Sequence, residues 1–221
     1  MSNAQSVEIL LTPGSKKLYI FFGGIATQIA MPPFEFYNAS KIMDENKIFL
    51  RDFSQSWYHN GLLDISQDID TTVAFLQKEI NNLKPEKVYF VGNSMGGYAA
   101  ILFSILTKQG EAIAFAPQTF ICPDLRTQHN DTRWPKQIAK TYKLSACKSK
   151  AYDLKPLLTA SPNQRISIFV CKNHVLDYLH AEHLKGIPGV DVYEFMGGGH
   201  GIVKQLRDKG KLPAIMSGNY G

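Results

Sequence analysis

Short apolar runs alternate along this chain with stretches whose apolar residues recur every three or four positions. Lys17 to Phe22 reads as a buried strand that ends in Gly23-Gly24, and Lys47 to Phe53 as a second. Asp64 to Leu83 places Ile65, Ile69, Val73, Leu76 and Ile80 at helical spacing, and Pro85 closes it. The run Lys87-Val88-Tyr89-Phe90-Val91 predicts a third strand, followed by a glycine-rich turn and a helix from Tyr98 to Lys108. Strands over Glu111 to Ala116, Ile166 to Cys171 and Val190 to Phe195 follow. Helices are predicted over Tyr178 to Lys185 and from about Gly201 to Asp208. Such alternation implies right-handed crossovers and an α/β fold with a mostly parallel central sheet and helices on both faces. Phe21, Phe22, Phe90 and Phe115 are expected to be ordinary core residues.

One segment breaks the rhythm. Residues 117–163 contain Pro117, Pro123, Pro135, Pro156 and Pro162 and only short helical patterns, notably Trp134 to Leu144. An insertion between two core strands sits over the carboxyl ends of the sheet, where ligands bind in such folds, so it reads as a small cap. The expectation is one domain over residues 1–221, with the cap at about 117–163. The tail from Leu212 to Gly221, rich in Gly and Pro, is expected to be irregular.

Composition narrows the function classes. At 221 residues, 44% of them hydrophobic, the chain can bury a sizeable core. It contains no run long enough to span a bilayer and no signal-peptide pattern. Cys122, Cys147 and Cys171 have no metal-ligand spacing and an odd count, which fits reduced thiols and a cytoplasmic location. The net charge of +5 is modest. The lysines Lys136, Lys140, Lys143, Lys148, Lys150 and Lys155 favour either a solvated helical face or an anionic substrate or carrier. No nucleic-acid motif, membrane segment, metal site or cofactor fingerprint is present. The partner expected is a small-molecule or carrier-linked acyl substrate; the pattern does not specify an oligomeric state.

The chemistry concentrates in Gly92-Asn93-Ser94-Met95-Gly96-Gly97. A strand, then Gly-x-Ser-x-Gly, then a helix is the sequence form of a nucleophile elbow, which holds a serine hydroxyl on a sharp turn while flanking glycines keep the turn uncrowded. A serine nucleophile needs a base, a group to orient that base, and donors for the oxyanion. His200 lies in Gly197-Gly198-Gly199-His200-Gly201 after the last strand, a placement that His59, His129, His174, His180 and His183 lack. The oxyanion donors expected are the N–H of Met95, at the helix start, and that of Gly24 or Ile25, after the first strand.

Ser94 in an elbow, an acid after a later strand and His200 in a glycine loop follow the chain order of the α/β-hydrolase fold family, which this chain resembles over roughly residues 17–209. Gly92 to Ala100, with Ala116-Pro117-Gln118-Thr119-Phe120, is also similar to a little-characterised bacterial branch of that family, found alone or attached to polysaccharide-related proteins. The resemblance implies a serine esterase-like activity. It departs from the pattern at the acid. Aligning Ala181 with the family's helix alanine puts Asn173 at the usual acid position, and Asp177 lies one helical turn later. An amide can orient an imidazole but cannot stabilise an imidazolium by charge. Asp177 is therefore the acid expected here, with capping of the helix from Tyr178 as its competing role and Asp124 as the outside alternative.

Trp57, Arg133 and Trp134 are candidate substrate contacts, with Met31-Pro32-Pro33-Phe34, Tyr58, His59 and Arg51 as further lining candidates. The function this supports is a serine hydrolase acting on a carboxylic ester or thioester. The alternatives are acyl transfer to a sugar or amine by the same residues, or a non-catalytic binding protein that keeps the fold.

Overall fold

The computed structural model describes residues 5–25, 34–144 and 150–220. Met31, Pro32, Pro33, Cys147 and Lys148, singled out above, lie outside the described residues. The strands are β1 (Val7–Leu10), β2 (Lys17–Phe22), β3 (Asn46–Leu50), β4 (Lys87–Asn93), β5 (Glu111–Phe115), β6 (Arg165–Cys171) and β7 (Val190–Phe195). They form one sheet in the order β1-β3-β2-β4-β5-β6-β7, parallel throughout except that β1 runs antiparallel on β3.

The apolar runs are continuous because both faces of the sheet are covered. Leu18, Ile20 and Phe22 point to one face, where they meet α1 (Ile69–Leu83), α2 (Met95–Thr107), α5 (Leu154–Thr159) and α6 (Val175–Leu184). Tyr19 and Phe21 point to the other, against Phe34, Phe36, α7 (Ile202–Asp208) and α8 (Leu212–Met216). Between β5 and β6 the chain forms α3 (Pro123–Gln128), α4 (Pro135–Leu144), a 3-10 turn at Lys150–Tyr152 and α5. No helix among the described residues is long and apolar enough to cross a membrane.

Several boundaries differ from the sequence reading. β1 was not anticipated; it is a short edge strand whose Ile9 and Leu10 stay partly exposed, so it carries no buried-strand signature. The helix expected from Asp64 starts at Ile69, because Asp68 caps it through the Thr71 N–H and Thr71 returns the bond to the cap. The tail is not irregular throughout. Leu212, Ile215 and Met216 share helical spacing and bury on the sheet, and Pro213 is tolerated in the first turn of α8. α6 begins three residues earlier than expected, which matters for Asp177.

α2 lies unusually close to the sheet, and glycines make this possible. A Cβ on Gly92 would lie 2.0 Å from the Gly96 carbonyl oxygen, and one on Gly96 2.2 Å from that of Phe22. Both obstacles are backbone, so neither can swing aside. Gly96→Ala is expected to lower stability by about 3 kcal/mol, the upper range for overpacking. That corresponds to a melting-temperature fall of roughly 6–12 °C in a domain of this size. Gly201→Ala, whose Cβ meets nothing within 4 Å, should stay within about 0.5 kcal/mol. Thermal unfolding of the pair checks this.

His59 is a core residue rather than a pocket wall. Tyr98 donates its hydroxyl proton to the Ala151 carbonyl at 2.6 Å, so the 2.9 Å contact to His59 has Nε2–H donating to the tyrosine oxygen. Burial pushes the His59 pKa down from 6.5 to about 4. Between those values the unfolded chain binds a proton that the folded protein refuses, so stability falls as pH drops through that window. From pH 7 to pH 5 this one group should remove on the order of 2 kcal/mol. Urea unfolding of wild type and His59→Phe at both pH values is expected to show that much less pH dependence in the variant.

Candidate active site

Ser94 sits between β4 and α2 with φ 57° and ψ −120°, the strained turn that an elbow requires. Its N–H is held by the Phe115 carbonyl at 2.9 Å. The residue is buried, with 5% of its surface exposed. His200 approaches it from the loop after β7, where Gly197, Gly198 and Gly199 all have positive φ (79°, 85° and 54°). His200 Nε2 lies 3.0 Å from Ser94 Oγ, and His200 Nδ1 lies 2.8 Å from Asp177 Oδ2.

Asp177 reaches His200 from the first turn of α6 rather than from the loop before it, and it is fully buried. The cap of that helix is His174, whose Nδ1 lies 3.3 Å from the Asp177 N–H, so the capping role considered for Asp177 falls to His174. Asn173 and Asp124 are exposed, and neither is placed on the imidazole. Burial alone would raise the Asp177 pKa. The His200 hydrogen bond, with the charges of His200, Arg133 and His174, outweighs it and holds the carboxyl below its usual range.

Arg133 does not face a ligand site as expected. Its Nη1 donates to Asp177 Oδ1 at 2.7 Å, while Nε and Nη2 grip Asp131 at 2.9 and 2.7 Å. Asp131 is itself buried and also meets His180 Nε2 at 3.1 Å. His180 Nδ1 accepts from the Thr119 N–H, so the ring is the Nε2–H tautomer. Asp131 and His180 carried no sequence signal, because neither lies in a motif.

Trp57 is also not a pocket wall: it is fully buried, and its indole N–H donates to Gln118 Oε1 at 2.9 Å. Gln118 Nε2 in turn donates to Ser94 Oγ at 2.9 Å. Trp134 does border the site, its ring 5.7 Å from that of His200 and 4.9 Å from the Arg133 guanidinium. Among the oxyanion candidates, Met95 opens α2 beside Ser94. The Gly24 N–H, the other half of the Gly24 or Ile25 alternative, is engaged by Glu35 Oε2 at 2.7 Å. Burial pushes the Glu35 carboxyl up despite the donors from Gly24 and Asn93. Among the described residues no group of three or more His, Cys, Asp or Glu is placed to hold a metal ion.

No protein-family model and no curated relative matches this sequence. Solved structures do match. The capsule O-acetyltransferase of Neisseria meningitidis serogroup A superposes with a TM-score of 0.68 at 17% identity, over 93% of this chain and 90% of that one. A mutant of it has also been solved in complex with CoA. MenH from S. aureus matches with a TM-score of 0.61 at 14% identity, over 97% of each chain. A lipase-esterase related protein from Clostridium acetobutylicum matches with a TM-score of 0.61 at 14% identity, over 97% of this chain and 99% of that one. With its seven-stranded, mostly parallel sheet and its elbow between β4 and α2, this chain has the α/β-hydrolase fold.

Proposed function

We propose that the protein is a serine hydrolase that cleaves a carboxylic ester or thioester through an acyl-enzyme on Ser94. The observation that carries this reading is the hydrogen-bonded chain from Ser94 Oγ to His200 Nε2 (3.0 Å) and from His200 Nδ1 to Asp177 (2.8 Å). Asp177, held ionised, fixes the imidazole with its proton on Nδ1 and a free lone pair on Nε2 facing the serine. Ser94 Oγ attacks the acyl carbon as its proton passes to His200, which then gives that proton to the leaving group. Met95 and Ile25 N–H groups stabilise the oxyanion, and water activated by His200 completes the cycle.

Acyl transfer to a sugar or amine is the second reading. It uses the same residues, and the likeness to a capsule O-acetyltransferase favours it. Hydrolysis and transfer part only at the acyl-enzyme, where water or an acceptor takes the acyl group. Supplying an acetyl thioester with and without sugar acceptors, and identifying the products, separates them.

Three mutational outcomes are expected. With p-nitrophenyl acetate, Ser94→Ala should fall to background, and Asp177→Asn should lose on the order of 10⁴ in kcat, as amide replacement does in serine triads. Asn173→Ala should be near wild type. A damaging Asn173→Ala with a harmless Asp177→Asn would overturn the assignment of the acid.

Arg133→Met takes the shared guanidinium from two buried carboxylates, which should cost about 3 kcal/mol of stability, and the loosened Asp177 should lower kcat at least tenfold. Urea unfolding and steady-state kinetics test it. A substrate-binding arginine would behave differently, with KM raised and both kcat and stability unchanged.

A further inference from the structure

Gln118 is 2% exposed and lies between two pinned neighbours. Pro117 sits within contact distance of Gly97 in α2, and Thr119 is tied to His180 through its N–H and hydroxyl. The orientation of the Gln118 amide is dictated by chemistry. The indole N–H of Trp57 can only donate, so Gln118 must present its oxygen there and its NH₂ to Ser94. At the other end, the Asp177 carboxylate can only accept. Four bonds therefore run in one direction, Trp57 to Gln118 to Ser94 to His200 to Asp177, at 2.9, 2.9, 3.0 and 2.8 Å. The serine hydroxyl donates to His200 and accepts from Gln118, which leaves its second lone pair for attack.

We propose that Gln118 is a catalytic residue, a fixed donor to the Ser94 oxygen that stabilises negative charge on that atom in both halves of the acyl cycle. The inference rests on Ser94 being the nucleophile. As the hydroxyl proton moves to His200, Oγ gains charge and the amide bond to it strengthens, because a charged acceptor roughly doubles a hydrogen bond. The bond is thus stronger in the transition state than before it, which is the condition for acceleration. Once the Oγ–carbon bond has formed, Oγ is an ester oxygen and a weak acceptor. When water or an acceptor attacks the acyl-enzyme, that bond breaks, Oγ leaves with the electron pair, and Gln118 supports it until His200 returns the proton. Gln118 keeps its own protons throughout. It acts on the serine oxygen, whereas Met95 and Ile25 act on the carbonyl oxygen, so the two effects are separable.

The test is the rate of covalent labelling by a fluorophosphonate, in which the Oγ–P bond forms, P–F breaks, fluoride departs and the serine proton goes to His200. Wild type, Ser94→Ala, Gln118→Met, Gln118→Glu and Trp57→Phe are compared, together with kcat and KM for p-nitrophenyl acetate and melting curves. Gln118→Met keeps the bulk and removes the donor. It should label and turn over on the order of 10² more slowly, the size of loss when one oxyanion donor is removed, with KM little changed. Gln118→Glu keeps the acceptor for Trp57 but leaves a carboxyl with no cationic partner in a buried site, so it should melt below wild type, and where that carboxyl is ionised it should lose as much. Trp57→Phe frees the amide to rotate and should lose about tenfold, between wild type and the donor deletion. If wild type labels and folded Gln118→Met labels within about threefold of it, well short of a donor's loss, Gln118 only fills space and the proposal fails. Should Gln118→Met not fold, a wild-type labelling rate in Trp57→Phe, with Gln118→Glu also labelling like wild type up to the highest pH at which both stay folded, overturns it equally. A folded wild type that resists the probe removes the serine-nucleophile reading, and this one with it.

Discussion

Everything at the candidate site depends on how closely the first turn of α2 packs on β2 and β4. Backbone meets backbone there, with no side chain between Gly96 and the Phe22 carbonyl or between Gly92 and Gly96. That contact forces the chain to reverse within three residues, and Ser94 at the apex takes up the strain at φ 57°. A residue in this conformation cannot relax back into strand or helix, so its hydroxyl is presented at a fixed point above the sheet edge. His200, Asp177 and Gln118 are each aimed at, or linked to, that point. The same packing sets Met95 N–H beside it at the start of a helix, where the dipole favours negative charge.

The second constraint is buried charge. Asp177 and Asp131 are both shielded from water, and an isolated carboxylate in such a place would neutralise. Arg133 lies between them and pairs with both; His180 joins it in keeping Asp131 ionised, and His200 joins it in keeping Asp177 so. This arrangement ties the segment between β5 and β6 to the helix that carries the candidate acid. The insertion therefore does more than border a cleft, because its arginine helps keep ionised the carboxylate that faces the imidazole.

The sheet, the elbow and the histidine loop were legible because each has a local signature: apolar runs, glycines at fixed offsets, and a strand end before His200. The candidate acid was only half legible. Its residue type and order along the chain pointed to Asp177, but loop length decides whether the acid lies before a helix or in its first turn, and periodicity misplaced the start of α6 by three residues. Aligning on Ala181 drew attention to Asn173, which the fold leaves in solvent. β1 was hidden because an exposed edge strand has no apolar run. α8 was hidden because a five-residue helix beginning Leu-Pro looks like a tail until it is packed.

The residues misassigned from sequence show why polar contacts resist such reading. Trp57 and Arg133 are the kinds of side chain that grip ligands, and their sequence context resembles pocket lining. Both instead hold the protein's own polar atoms, Trp57 at the donating end of the hydrogen-bond chain and Arg133 beyond its accepting end. That placement has a physical logic. A serine hydroxyl and an imidazole can each donate or accept, so a chain made only of such groups could run either way. A donor that cannot accept and an acceptor that cannot donate remove the choice, and the proton of Ser94 is left pointing at the lone pair of His200. On this view the reactive polarity of the site is set by groups that never meet a substrate. Such groups are found by following each buried polar atom to its partner.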